Sequence, residues 1–369
     1  MTKDSKDSKG LSWLQFFYEL YLVALSVFFQ KLRCRHLPKR LPLEPLPHLT
    51  VIVTGATSGI GVEIAGELAR AGVHVVLAVR NTAAGKKLVQ EWVTDQVRKG
   101  GPGINAEVME LDLLSLASVR AFAKEWNDRQ IPLHVLINNA GIFSMFVRQK
   151  FSEDGYEHHM QVNHLGHALL TMLLLPSLIR GAPSRIINVN SDMHHLGYVH
   201  PEDMNLTKRK FSSLAGYCGS KLAQILFSRI LHMRIPKDAG VDVIMVHPGE
   251  VMTSVTRDLP AAIRQVEKIT KVIRFSPLEG SRSVLYVATD KKVFQYTRAL
   301  REMGVPIAPY FTPSCRPSKV HPLADDLEHM EKVYSKTLEL VGLHEDYLDG
   351  VLGNKTFSNP VDEVKDGQI

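Results

Sequence analysis

Cysteine is scarce in this chain of 369 residues, and the usual signatures of nucleic-acid binding are missing. The three cysteines, Cys34, Cys218 and Cys315, are odd in number and far apart, which argues against a disulfide framework and favours a reducing compartment. The formal net charge is +6, but neither zinc-ligand spacing nor a helix-turn-helix pattern accompanies the scattered basic residues. We therefore expect no nucleic-acid partner.

Metal-binding patterns and internal repeats are missing as well. The histidine pairs His158/His159 and His194/His195 lack the Glu, Asp or Cys ligands at fixed spacing that zinc sites use, so we interpret them as surface or site-lining residues. No metal is expected. With 45% hydrophobic and 22% charged residues, the composition is that of a globular protein with one large core.

One long apolar run is present, LSWLQFFYELYLVALSVFFQ at residues 11–30, after a polar N-terminus at residues 1–10. A helix of about 20 residues spans a bilayer core, so the run predicts a membrane anchor helix. The basic flank KLRCRHLPKR places the C-terminal side, and with it the catalytic domain, in the cytosol, and the endoplasmic reticulum is the expected organelle. Gln15 and Glu19 interrupt the run. Two alternatives therefore stay open: a helix that lies in the membrane–water interface, and an apolar segment that packs on the domain.

The rest of the chain predicts one large α/β domain. A basic, proline-rich linker at residues 31–48 should separate the anchor from this domain. Over residues 49–342, helical patterns alternate with short apolar runs: LTVIVT, VHVVLAV, NAEVMEL, PLHVLIN, SRIINVN and VDVIMVH. This alternation predicts a doubly wound parallel sheet, the Rossmann fold. Residues 250–278 and 291–323 do not follow this alternation and are candidate substrate loops. Residues 343–369 are predicted to be a polar C-terminal tail.

The motif T-G-A-T-S-G-I-G at residues 54–61 lies directly after the first strand and leads into a helical pattern. Gly55, Gly59 and Gly61 permit a tight turn and close approach of backbone amides to a pyrophosphate, with Ser58 and Ile60 in the same turn. Glycines alone serve many strand-to-helix turns, but this position in a β-α repeat is specific for dinucleotide binding.

The end of the second strand, LAVRN, indicates which dinucleotide is preferred. NAD sites usually carry an acidic residue at this place, whereas the 2′-phosphate of NADP needs positive charge. Arg80, with Asn81 beside it, therefore favours NADP(H) over NAD(H). The alternative is that Arg80 is a solvated residue at the end of the strand.

The sequence Y-C-G-S-K at residues 217–221 begins a helical pattern and places Tyr217 and Lys221 one helical turn apart. An adjacent ammonium stabilises a phenolate and lowers the tyrosine pKa from its ordinary value of about 10, which suits acid-base catalysis. Taken alone, a Tyr and a Lys at this spacing occur often by chance on amphipathic helices. Other motifs are needed to give the pair a meaning.

Together with N-N-A-G at residues 138–141, these motifs resemble the short-chain dehydrogenase/reductase family. The resemblance is strongest to its retinol-dehydrogenase and WW-domain-oxidoreductase-like branch, including plant Forever Young-type oxidoreductases. It implies catalytic roles for Asn163, which holds a water beside the lysine, and for Ser191, which holds the substrate oxygen. It also implies that the cofactor is bound by Tyr217 and Lys221 and by Asp112, Asn139, Ala140, Gly141, Pro248, Gly249, Val251 and Thr253.

The resemblance implies hydride transfer between nicotinamide and a carbonyl or alcohol, with Tyr217 exchanging the proton. Members of the branch act on retinoids, steroids, aldehydes or lipids, so we expect a small apolar substrate. Whether two copies of the chain form a homodimer is left open. Alternatives are a nucleotide-binding scaffold or sensor with little turnover, and a reductase of a conjugated carbon-carbon double bond. One departure from the family pattern is Asn190, where many members carry a second serine.

Overall fold

A single sheet organises the protein, whose computed structural model describes residues 13–144, 147–252, 272–305 and 307–353. Within them, eight strands follow the order β3-β2-β1-β4-β5-β6-β7-β8, and all neighbouring pairs are parallel except the last. The strands are β1 (Thr50–Thr54), β2 (His74–Val79), β3 (Ala106–Glu110), β4 (Val135–Asn138), β5 (Ser184–Val189), β6 (Val241–Val246), β7 (Tyr310–Phe311) and β8 (Pro317–Ser318).

Helices cover both faces of the sheet. They are α1 (Trp13–Arg33), α2 (Gly59–Arg70), α3 (Thr82–Arg98), α4 (Leu116–Asp128), α5 (His158–Arg180), α6 (Ser213–Arg234), α7 (Pro277–Thr289), α8 (Lys291–Glu302), α9 (Leu327–Leu340) and α10 (Tyr347–Gly353). Side-chain caps fix several of their starts: Asn81 caps α3, Ser115 caps α4 and Ser212 caps α6.

The central strands are buried on both faces. Along β1, Ile52 belongs to the core on one side of the sheet, and Val51 and Val53 belong to the core on the other side. This two-sided burial explains the continuous apolar runs in the sequence and confirms the predicted doubly wound parallel sheet.

The strand order reverses between β1 and β4. In open α/β sheets, ligands bind in the crevice outside the carboxyl ends of the strands at such a point. The turns that follow β1, β4, β5 and β6 therefore meet at one edge of the sheet and frame the candidate site.

One described helix, α5, is long and apolar enough to cross a bilayer, with a mean hydropathy of 1.4. However, 89% of its most apolar stretch of 18 residues is buried inside the protein, which identifies α5 as a core helix.

The N-terminal helix α1 lies on the α/β domain and is not held apart from it. Ser26 and Gln30 of α1 hydrogen-bond to residues near the carboxyl ends of the strands. The linker that follows also lies on the domain: Leu46 packs against the core, and its N–H donates to the backbone oxygen of Ala71 at 2.7 Å. The prediction of a linker that separates anchor from domain is therefore corrected, because leucines between the prolines attach it to the fold.

Two further predictions need correction. Residues 291–323, predicted to be a substrate loop, contain α8 and the two short strands β7 and β8. The predicted polar tail, residues 343–369, begins with α10, whose Leu348 is buried and whose Tyr347 and Val351 pack against the core. Their helical spacing produces an apolar face that extends the domain.

Candidate active site

The glycine turn after β1 shapes one end of the site. Gly55 has φ +66°, and a Cβ there would lie 3.0 Å from the Cα of Ala140. A Cβ at Gly61 would lie 2.4 Å from the backbone oxygen of Gly55. Only glycine permits these approaches. Ser58 and Ile60 line the cavity where the N-terminus of α2 opens, an arrangement that suits a pyrophosphate.

A buried hydroxyl joins β1 to the turn after β4. The Oγ1 of Thr54 accepts hydrogen bonds from the backbone N–H groups of Asn139 and Ala140, both at 2.9 Å. The Nε2 of His167 lies 3.0 Å from the same oxygen. Burial lowers the pKa of His167 to about 3, so we assign a neutral ring whose Nε2 accepts the Thr54 proton. Neither Thr54 nor His167 was predicted as a site residue, although Thr54 is the last residue of the first predicted strand.

Three predicted residues line the adenosine end of the cavity. Arg80 is exposed there, and within the described part of the chain no residue pairs with its guanidinium. Asn81 lines the same edge, but its carboxamide oxygen also caps α3. Asp112 lines the cavity too, and its carboxylate accepts the N–H of Leu114 at 2.9 Å. Asp112 is not the cap of the helix that follows, because Ser115 caps α4.

The helix α6 brings Tyr217 and Lys221 to the cavity. The ring of Phe143 lies against Tyr217 with 4.2 Å between ring centroids, and the ring of His159 meets it edge-on at 6.3 Å. Ser191 follows β5, and its hydroxyl hydrogen-bonds to the side chain of Tyr217. The fold thus brings Tyr217 together with Phe143, His159 and Ser191, which are far from it in the sequence.

The pKa of Tyr217 differs from the sequence-based expectation. Burial raises the pKa of the phenol, and the hydrogen bond with Ser191 lowers it by less. The expected lowering by Lys221 is not realised, because its ammonium donates a hydrogen bond to the backbone oxygen of Val189 at 2.9 Å. In the protein alone the phenol therefore stays protonated at neutral pH.

Lys221 is 5% exposed, and burial lowers its pKa to about 8. Most of the lysine is therefore still protonated at pH 7. A Cβ built at Gly141 would lie 3.7 Å from the Nζ of Lys221 and 3.3 Å from the Oδ1 of Asn163. The absence of a side chain at position 141 leaves room for a ligand beside the ammonium.

Asn163 lies in a π-helical turn, Gln161–Leu165, within α5. Such turns are frequent at functional sites. Its Oδ1 accepts the N–H of Ile142 at 2.9 Å, and its Nδ2 donates to the backbone oxygen of Ile142 at 3.1 Å and to Ser220 at 3.0 Å. These contacts use both polar atoms of the carboxamide, so the water-binding role implied by the family would have to share them.

The departure at Asn190 has a structural explanation. Its Nδ2 donates to the backbone oxygen of Lys221 at 2.9 Å and to the Oε1 of Gln224 at 2.8 Å. Its Oδ1 accepts the N–H of Ser191 at 2.8 Å. Asn190 thereby fixes α6 and Ser191 relative to each other. The only sequence signal was its position directly before Ser191.

A polar cluster that the sequence did not predict lies next to Ser191. The Oδ1 of Asp192 accepts the hydroxyl of Tyr310 at 3.0 Å, and its Oδ2 lies 3.4 Å from the Nε2 of His247, a residue that lines the cavity. Burial acts to raise the pKa of Asp192, but His247 and two further histidines outweigh it and hold the pKa below its usual value. A charged carboxylate therefore lies beside the site.

The turn after β6 forms the opposite wall of the cavity, which Pro248, Gly249 and Val251 line. Gly249 has φ +89°, and a Cβ there would lie 2.6 Å from the ring of Phe275. Thr253 lies outside the described residues, so its part in cofactor binding stays a prediction.

One cavity of about 520 Å³ joins these parts, a size within the usual range of ligand sites. The predicted residues Gly61 and Asn163 are not part of its lining but contact residues that are. The predicted residues that line it are Gly55, Ser58, Gly59, Ile60, Arg80, Asn81, Asp112, Asn139, Ala140, Gly141, Ser191, Tyr217, Lys221, Pro248, Gly249 and Val251. Phosphate-compatible groups at one end and proton-transfer groups at the other fit a dinucleotide bound between them.

Comparison with known proteins gives relatives along most of the chain. Residues 49–264 match the family model described as short chain dehydrogenase. Over 350 residues the chain is 49% identical to dehydrogenase/reductase SDR family member FEY of Arabidopsis thaliana, covering 94% of this chain and 93% of that protein. Over 333 residues it is 35% identical to human retinol dehydrogenase 12, covering 89% and 96%. A crystal structure of an uncharacterised protein from Mycobacterium paratuberculosis matches with a TM-score of 0.63 at 30% identity, covering 82% of this chain and 96% of that one.

Proposed function

The chain belongs to the short-chain dehydrogenase/reductase family and is an NAD(P)-dependent oxidoreductase, and on that premise we propose that it transfers a hydride between NADP(H) and a carbonyl or alcohol of an apolar substrate. One observation carries the proposal. Ser191, Tyr217 and Lys221 line the same cavity as the glycine turn after β1. A scaffold that only bound a nucleotide would not need these three side chains beside it.

When bound, the nicotinamide supplies or accepts the hydride. The protein's own residues act on the substrate oxygen. The hydroxyl of Ser191 hydrogen-bonds to that oxygen, and the hydroxyl of Tyr217 gives it a proton in reduction or takes one in oxidation. A protonated phenol is the donating form, and the raised pKa keeps Tyr217 in that form at neutral pH. Lys221 would stabilise the phenolate that remains only if its ammonium turned from the backbone oxygen of Val189 toward Tyr217 when the cofactor is bound.

The test is NADPH oxidation by the full chain in lipid nanodiscs with retinal, a long-chain aldehyde and a steroid ketone. Tyr217→Phe should lower kcat by about 100-fold to 10,000-fold while NADPH still binds, because only the proton donor is lost. Tyr156→Phe is the matched control, because this tyrosine lies outside the cavity lining and its hydroxyl donates to the backbone oxygen of Leu340. Turnover that survives Tyr217→Phe, or is lost equally in the control, would contradict the mechanism.

The preference for NADP(H) rests on Arg80, whose guanidinium lies at the cavity edge. Arg80→Asp should weaken NADPH binding by about tenfold or more and leave NADH binding unchanged, because a charge-assisted contact to the 2′-phosphate is replaced by repulsion. Arg98→Asp changes the net charge equally, but Arg98 is at the far end of α3, where it pairs with Asp95. Equal affinity of the wild type for NADPH and NADH would refute the preference.

The substrate is proposed to be a membrane-dissolved molecule such as a retinoid, steroid, lipid or aldehyde. Human retinol dehydrogenase 12 carries an apolar alcohol in its name. The catalytic end of the cavity also offers apolar walls, since Ile142, Phe143 and Val251 line it. The only direct way to identify the compound is to compare lipid extracts of cells that express the wild type and Tyr217→Phe.

We propose that α1 attaches the protein to a membrane by lying in the membrane–water interface. The catalytic domain would then lie in the cytosol. The outer face of α1 exposes Leu14, Tyr18, Tyr21, Phe28 and Leu32 at helical spacing, and basic residues follow the helix. Its inner face packs on the catalytic domain through Ser26 and Gln30, which supports an interfacial helix over a spanning one. The endoplasmic reticulum is the proposed organelle.

A further inference from the structure

A buried glutamine on α1 reaches the wall of the active site. Gln30 is 5% exposed although it belongs to the N-terminal helix. Its Oε1 accepts the backbone N–H of Glu250 at 2.9 Å, and its Nε2 donates to the backbone oxygens of Ile273 at 2.8 Å and Glu250 at 3.2 Å. The carboxamide oxygen and nitrogen thus bond to two separate segments of the backbone, one at Glu250 and one at Ile273.

These two segments carry the wall that Gly249 and Val251 contribute to the cavity. The backbone N–H of Phe275 donates to the oxygen of Glu250 at 2.9 Å, and the N–H of Met252 donates to the oxygen of Phe275 at 2.9 Å. A Cβ built at Gly249 would lie 2.8 Å from the Oε1 of Gln30. The Gln30 carboxamide therefore packs directly behind the backbone that faces the cavity.

Neighbouring residues on the same side, one in α1 and one in the turn that follows it, strengthen this contact. Cys34, one helical turn beyond Gln30, is buried in an apolar cluster with Val251 and Phe275. One turn before Gln30, the hydroxyl of Ser26 donates to Asp192 at 3.2 Å, beside the catalytic Ser191. The helix α1 therefore contacts both walls of the catalytic end.

We propose that Gln30 is a positioning residue of the active site, which fixes the Gly249–Val251 wall from the helix that meets the membrane. The inference rests on the proposed nucleotide-binding function of that wall. An aliphatic side chain of equal length cannot replace Gln30, because the N–H of Glu250 and the backbone oxygen of Ile273 would lose the carboxamide as their partner, and the oxygen of Glu250 would keep only the N–H of Phe275. The membrane-contacting helix is thus a structural part of the cofactor site.

The test compares Gln30→Met with wild type as full chains in nanodiscs. We expect NADPH binding to weaken by about tenfold, measured by fluorescence titration, because the wall is no longer fixed. Hydrogen exchange of the Glu250 amide should become faster. Gln96→Met is the matched control: Gln96 is 9% exposed and donates to the backbone oxygen of Pro102 at 3.3 Å, away from the cavity lining. It should leave both readouts unchanged.

Gln30→Glu is the second variant, because it keeps the size and the acceptor while placing a carboxylate against two backbone oxygens. It should weaken NADPH binding at least as much as Gln30→Met. Wild-type affinity in both variants, or an equal loss in Gln96→Met, would overturn the inference. If the wild type itself bound no NADPH, the proposed function would fail, and unchanged exchange of the Glu250 amide would separately show that Gln30 fixes nothing.

Discussion

Lys221 keeps a charge in a buried position, which should destabilise the folded protein. Burial lowers its pKa to about 8 from an ordinary 10.5, a difference that corresponds to about 3 kcal/mol. Lys221→Met keeps the chain length and removes the charge. We expect it to raise the free energy of unfolding at pH 7 by about 2 kcal/mol, since the lost hydrogen bond to Val189 offsets about 1 kcal/mol of the gain.

The gain from Lys221→Met should shrink at alkaline pH. In the unfolded chain the lysine keeps its proton up to about pH 10.4, whereas in the folded protein it loses it near pH 8. Between these values the unfolded state binds more protons, so wild-type stability rises with pH. The penalty is complete below about pH 8 and falls to about 1 kcal/mol at pH 9.5. Other titrating groups are common to both proteins, so their contributions cancel in the difference.

The assay is equilibrium urea unfolding of both proteins in detergent at pH 7.0 and pH 9.5, without nucleotide, because a bound cofactor would stabilise the wild type. The variant should be inactive and yet more stable at pH 7.0. A less stable Lys221→Met protein at pH 7.0, or a difference that does not change with pH, would refute the view that Lys221 pays a desolvation penalty for its catalytic position.

Other features of the structure give predictions with matched controls. Gly61→Ala should abolish NADPH binding and lower the melting temperature, because its Cβ would lie 2.4 Å from a backbone oxygen, whereas Gly103→Ala, with nothing within 4 Å, should change neither. Tyr21→Ser and Phe28→Ser should each reduce flotation with anionic vesicles by about tenfold at unchanged melting temperature, because both side chains lie on the exposed face of α1. The sequon at Asn205 should carry no glycan in cells, and glycosylation there would contradict a cytosolic catalytic domain.

The sheet and most of the cavity lining could be predicted because their signals are local. A parallel strand buried on both faces is a short apolar run, and its carboxyl end is where the chain turns into a helix. The glycine turn after β1 and the Tyr217–Lys221 pair each lie within a few residues. Once the β-α order is known, the topology itself brings such local motifs to one edge of the sheet.

The electrostatics of the site could not be predicted in the same way. The direction of the Tyr217 pKa shift depends on how deeply the phenol is buried and on which atom accepts the hydrogen bond of the Lys221 ammonium. Both are set by distant residues: Val189 ends one strand, and Asn190 holds the helix that carries the lysine. A motif gives the residue types and their spacing, but the balance between desolvation and charge arises only in the packed protein.

The N-terminal helix shows that the mean hydropathy of an apolar run does not by itself predict where the helix lies. Single polar residues such as Ser26 and Gln30 barely change its mean hydropathy, yet their spacing of four places both on one face. An amide without partners in hydrocarbon would cost several kcal/mol, so Gln30 disfavours a helix surrounded by lipid. Docking on Glu250 and Ile273 satisfies that amide and turns the aromatic face outward. The same two polar residues therefore attach the helix to the wall of the cavity and leave its aromatic face exposed.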